Sequence, residues 1–177
     1  KEEENRGDFV ALKRWVGLMQ QQIKEKGGMN QLILELKHLQ LDPVIAKDSN
    51  PYTGDMHIIR TYKSLPGTRY FHAQYFSEKG GKPQLQHVSF EFRPGPGALK
   101  DVVSTLQKTL PEIGVPTEED KEFYQWHFAS DYVLWVKQLG KEDLIGDSFN
   151  AYSPDDLGTI RIALELEIHS DDHHASN

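Results

Sequence analysis

The chain has 177 residues, 37% of them hydrophobic and 10% aromatic, which suits one domain with a real core and leaves little room for two. A formal charge of −7 without a basic stripe excludes nucleic acid as the main partner and fits cationic partners better. The absence of cysteine excludes disulfides, thiolate nucleophiles and cysteine-based zinc sites.

No apolar run has the length of a membrane span. The chain opens on the polar run KEEENRGD rather than on Met. That is the pattern left when a signal peptide or anchor is removed, so a periplasmic or extracellular protein is expected, with a cytoplasmic one as the alternative. Residues 1–7 read as a polar leader, 8–169 as a single α+β domain and 170–177 as a His/Asp tail.

Asp8 is placed to cap a helix carrying Phe9, Leu12, Val16, Met19 and Ile23, with Trp15 widening the stripe. Lys24 and Lys26 suit its negative end, and Gly27-Gly28 stop it. Asn30 caps a second helix, QLILELKHLQL, with Leu32, Ile33, Leu36 and Leu39 on one face, and Asp42-Pro43 ends it. The short link makes the two helices antiparallel neighbours. The stretch AKDSNPYTGD reads as a loop with an Asx/Pro turn. Asp48, Asn50 and Asp55 resemble a calcium loop, but the required Gly and Glu are missing.

Residues 55–93 form the centre of the reading: three strands, MHIIRTYKS, RYFHAQYFSE and QLQHVSFEFR, joined by turns at Pro66-Gly67 and Gly80-Gly81. Those turn centres pair Thr61 with His72, Ile59 with Gln74 and His57 with Phe76. On the other side they pair His72 with Ser89, Gln74 with His87 and Phe76 with Leu85. One face then collects Ile58, Tyr62, Phe71, Ala73, Tyr75, Val88 and Phe90 as a core. The opposite face collects His57, Ile59, Thr61, Tyr70, His72, Gln74, Phe76, His87, Ser89 and Glu91. Its histidines, amide and aromatic rings suit binding, and a one-residue slip would exchange the faces of a strand.

Arg93-Pro-Gly-Pro-Gly97 breaks the third strand and leads into a helix through Leu99, Val102, Val103, Leu106 and Leu110, ended by Pro111. Its glycines match neither the P-loop nor the dinucleotide-binding spacing. EFYQWHFASDYVLWVKQL gives two more strands around a tight turn, on its aromatic and β-branched density. GKEDLIGDSFNAYSPDDLG is loop with one helical turn. TIRIALELEIH is an amphipathic strand, setting Ile160, Ile162, Leu164, Leu166 and Ile168 against Arg161, Ala163, Glu165 and Glu167.

The expected fold is α+β, an antiparallel sheet of about six strands in the order α-α-β-β-β-α-β-β-β with helices on one face. That order is similar to the small secretion chaperones, which also interrupt a twisted antiparallel sheet with a helix. No residue motif joins the chain to a family.

In the tail, His169, Asp171, His173 and His174 carry the donors a divalent transition metal takes. No cofactor motif, nucleophile elbow or zinc-protease motif occurs. The leading expectation is a non-enzymatic module that engages a protein or peptide through His57, Tyr70, His72, Gln74, Phe76, His87 and Glu91, or through a sheet edge. One alternative is a cytoplasmic, chaperone-like homodimer. Another is a small-molecule binder or hydrolase with a pocket between helices and sheet, lined by Trp126, Trp135 and Tyr75.

Overall fold

Three glutamates, Glu2, Glu3 and Glu4, open the chain with good helix formers that oppose the positive end of a helix dipole. In the computed structural model, which describes residues 2–24, 28–93, 99–129, 131–145 and 153–167, helix α1 accordingly spans Glu2–Lys24. Asp8 lies inside it rather than at its start. Helix α2, Met29–His38, starts from Gly28 rather than Asn30. It closes with Leu41 N–H donating to Leu36 O (3.1 Å) and Gln40 N–H to Lys37 O (2.9 Å). This is a Schellman end, with Gln40 at φ 59° in the left-handed position usually held by glycine.

The strands are β1 (Pro43–Asn50), β2 (Gly54–Thr61), β3 (Thr68–Glu78), β4 (Gln84–Phe92), β5 (Glu118–Glu119), β6 (Phe123–Phe128), β7 (Tyr132–Gln138) and β8 (Ile160–Leu166). Helix α3 is Leu99–Thr109 and α4 is Lys141–Ile145; 3-10 turns occupy Pro111–Ile113 and Pro154–Asp156. All eight strands form one antiparallel sheet in the order β1-β2-β3-β4-β8-β7-β6-β5. The last strand thus slots between two meanders and joins them. That central place explains why β8 is shaded on both faces, with Ile160, Ile162, Ala163 and Leu164 all buried.

The α+β class and the antiparallel sheet are as expected, but the sheet has eight strands, not six, and the order gains β1, β5 and α4. The stretch expected as a loop begins with β1, an edge strand whose residues after Pro43 are all exposed. Half-burial is what writes a period of two into a sequence, and an exposed edge strand lacks it. The Asx turn expected there does form, Tyr52 N–H donating to Asn50 Oδ1 at 2.9 Å between β1 and β2.

Helices α1, α2 and α3 cover one face of the sheet with Leu12, Trp15, Val16, Leu32, Leu36, Val102 and Leu106. They meet Ile59, Phe71, Ala73, Tyr75, Val88, Phe90, Trp126, Leu134, Val136 and Ile162 from below. Trp15 stacks on Phe71 (centroids 4.3 Å, 13°) and donates its indole N–H to Thr68 Oγ1 at 2.9 Å. Tyr75 O–H donates to Gln22 Oε1 on α1 at 2.7 Å. Both partially polar rings therefore keep a partner inside the core.

One register differs from expectation. The Pro66-Gly67 turn forms, with Thr68 N–H donating to Leu65 O at 3.0 Å and Gly67 at φ 77°. Beyond it, however, Arg60 pairs with His72, Ile58 with Gln74 and Met56 with Phe76. Tyr70 takes a left-handed φ of 55° and the β3–β4 register shifts between Arg69 and His72, a bulge that inserts one residue. The slip exchanges the faces of β2. Ile59 goes to the core instead of Ile58, and Tyr62 is exposed instead of buried. A second shift at Gln74/Tyr75 pairs Leu85 with Tyr75 rather than Phe76. The His72–Ser89 and Gln74–His87 pairs stand as expected.

Candidate functional site

Directly opposed residues share a face, so the registers write the face that the described helices leave uncovered as rows across the sheet. One row runs Ala46, Ile58, Gln74, His87, Glu165, Val133, His127. The next runs Val44, Arg60, His72, Ser89, Ala163, Trp135, Gln125. A third brings Arg69, Glu91, Arg161, Lys137 and Phe123 together.

The third row is an ion-pair network at one end of the face. Arg69 Nε lies 2.8 Å from Glu91 Oε1, and its Nη2 lies 2.8 Å from Asp156 Oδ1. Arg161 Nη2 is 3.7 Å from Glu91 Oε2. Asp156 also accepts from the Ser153 backbone N–H at 2.8 Å, closing a capping box. That hydrogen bond, then Arg69, holds the Asp156 carboxyl below its usual range. Glu91 is only 2% exposed. Its carboxylate anchors Arg69, which clamps the 3-10 turn to the sheet through Asp156, rather than facing solvent.

The middle of the face carries the histidines. The His72 and His87 rings lie 5.6 Å apart, and His87 Nδ1 is 3.2 Å from Glu165 Oε1. His72 is half-buried, and its Nε2 is enclosed without a hydrogen-bond partner. Burial first, then the neighbouring His87 and Arg60, lower its pKa from the ordinary value of 6.5. Glu165 is held below the ordinary carboxylate range, chiefly by its bond to His87, against the opposing effect of burial.

Three hollows open at the ends of the face. Near the free edge, one of about 440 Å³ is lined by Val44, Ala46, Ile58, Arg60, Thr61 and Tyr62. Beside the β1–β2 turn, about 410 Å³ lies between residues 48–54, Met56 and Phe76. On β6, β7 and β8, about 380 Å³ is lined by Phe123, Gln125, Val133, Trp135, Lys137, Glu165, Leu166 and Glu167. There the Phe123 and Trp135 rings lie 6.4 Å and 30° apart, and His127 Nδ1 sits 3.5 Å from Glu167 Oε2.

Of the residues singled out in the sequence, His72, Gln74, Phe76 and His87 do share the uncovered face. His57 does not. It is turned to the helix-covered side by the β2 slip, 9% exposed, with Nε2 3.0 Å from Ser77 Oγ. Tyr70 projects from the bulge, with the Arg69 guanidinium 4.7 Å from its ring centroid. Trp126 and Tyr75 are fully buried on the covered face while Trp135 is on the other, so the sheet itself separates them and no common pocket forms. His169, Asp171, His173 and His174 lie outside the described residues. Among the described residues, no group of three or more His, Asp or Glu is arranged to hold a metal ion. Nor is any described helix long and apolar enough to cross a membrane.

Phe123, Gln125 and Glu165 are not picked out by the sequence as site residues, and Trp135 is named there only for a pocket between helices and sheet. The alternation within their strands is plain in it, but nothing there places β8 between β4 and β7. No family model, curated protein or solved structure matches the chain.

Proposed function

We propose that this chain is a binding module that takes a protein or peptide segment on the uncovered face of its sheet, bordered by the free edge of β1. One observation carries this reading: α1, α2 and α3 all pack on a single face, and the other face presents half-buried aromatic, imidazole and amide groups beside three hollows. The edge adds to it. β1 offers eight residues of backbone paired on one side only, with Val44 and Ile45 exposed. An extended segment can add to such an edge by main-chain hydrogen bonds while alternate side chains enter pockets.

The test is selection of peptides from a displayed library on the full chain, followed by affinity measurement on two variants. Ala46→Glu fills the hollow at the edge, and Leu34→Ser changes an exposed residue of α2 on the far side. The expected result is a loss of tenfold or more, about 1.4 kcal/mol, for the first and no change for the second. Selected peptides indifferent to every substitution on the uncovered face would overturn the reading.

A further inference from the structure

Resting on the uncovered face as the partner surface, we propose that its β6–β7–β8 hollow receives a basic side chain, lysine or arginine, of a peptide partner. The argument is charge complementarity. Within the hollow, Lys137 is already matched, its Nζ 2.6 Å from Asp143 Oδ1 on α4. Glu165 and Glu167 are not matched in this way. Each meets an imidazole, His87 at 3.2 Å and His127 at 3.5 Å, which is a cation only when protonated. Among the described residues no lysine or arginine lies within ion-pair distance of either carboxylate; Arg161 acts on Glu165 only from farther off and is engaged with Glu91, and the Trp135 side chain hydrogen-bonds Glu165. With both imidazoles neutral, the hollow holds two carboxylates beside the Trp135 and Phe123 rings.

That combination favours an organic cation over other occupants. The faces of indole and phenyl rings attract a cation, and a carboxylate at the rim adds a charge-assisted hydrogen bond. An anion would meet both glutamates, and a purely apolar group would leave them unsolvated. The chain's overall charge of −7 draws a basic partner in from a distance. A hollow of about 380 Å³ has room for one long side chain and its head group.

The experiment titrates the full chain with acetyl-arginine amide and with acetyl-citrulline amide, which has nearly the same shape without the charge. The readout is the indole N–H signal of Trp135 in two-dimensional NMR, beside those of buried Trp15 and Trp126. The expected result is a saturable shift of Trp135 with the arginine compound at about pH 8. The citrulline compound should leave the signal in place, and Glu165→Gln with Glu167→Gln should weaken arginine binding about tenfold. Equal binding of the two compounds, or a Trp135 signal that ignores both, overturns the inference. Library peptides that bind this face without Lys or Arg would sink this inference alone, whereas failure of every peptide on the face sinks the broader reading as well.

Discussion

The two faces of this sheet come from the same strands, residue by alternate residue, and they are held by different forces. The covered face is apolar volume: Trp15 on Phe71, Phe9 edge-on to Phe92, and buried Val, Ile and Leu from four strands. Its polar atoms come in isolated pairs such as Tyr75–Gln22 and His57–Ser77. The uncovered face is charge and hydrogen bonding, arranged as Arg69–Glu91–Arg161, His87–Glu165 and Lys137–Asp143. Its openness is graded. On the central strands β4 and β8, Glu91 and Ala163 are buried, while the hollows lie toward the outer strands. On the proposed reading, binding belongs to the ends of the face, while its middle holds the sheet together.

Substitutions can break that comparison, beginning with the largest effect. Trp15→Ala should destabilise the fold by about 3–5 kcal/mol in urea unfolding, since it removes a fully buried ring from a packed core. Trp135→Ala, on the other face, should cost about 1 kcal/mol or less. Equal losses would mean that the uncovered face is packed like a core. Glu91→Gln should come next at about 2 kcal/mol, because it leaves Arg69 and Arg161 without their shared buried anion. An unchanged midpoint would show that the network contributes nothing net to stability. Tyr75→Phe should cost about 1 kcal/mol by leaving Gln22 Oε1 without its donor.

Legibility in the sequence followed burial. β3, β4, β6, β7 and β8 were readable because each buries alternate residues, and α1 and α3 because their apolar stripes face the sheet. β1 was silent because an exposed edge selects no pattern. His57 was assigned to the wrong face through one residue, Tyr70, whose left-handed backbone looks like any strand tyrosine in the sequence. The β6–β7–β8 hollow was out of reach for another reason. Its residues are brought together by the insertion of β8 between two meanders, and that topology depends on which edges meet, not on any local period.

The smallest predicted effect tests how far burial reaches into the middle of the uncovered face. His72 has its pKa lowered in the folded state, by burial and then by His87 and Arg60. Between the lowered folded value and the ordinary value of 6.5, the unfolded chain binds more protons than the folded one. Stability then rises with pH across that window and falls as the solution is acidified below the ordinary value. His72→Gln should flatten that slope and leave stability at alkaline pH nearly unchanged, which urea unfolding at a series of pH values can measure. Glu165 contributes separately. Its lowered pKa adds stability present above the ordinary value of 4.5 and lost only as pH falls through its folded value, so the two windows do not coincide. His87→Gln offers the sharper check. It removes the like charge 5.6 Å away, so the His72 titration seen by NMR should move up toward the ordinary value. A His72 midpoint that ignores the loss of His87 would mean that burial alone sets it, and that the two rings on this face act independently.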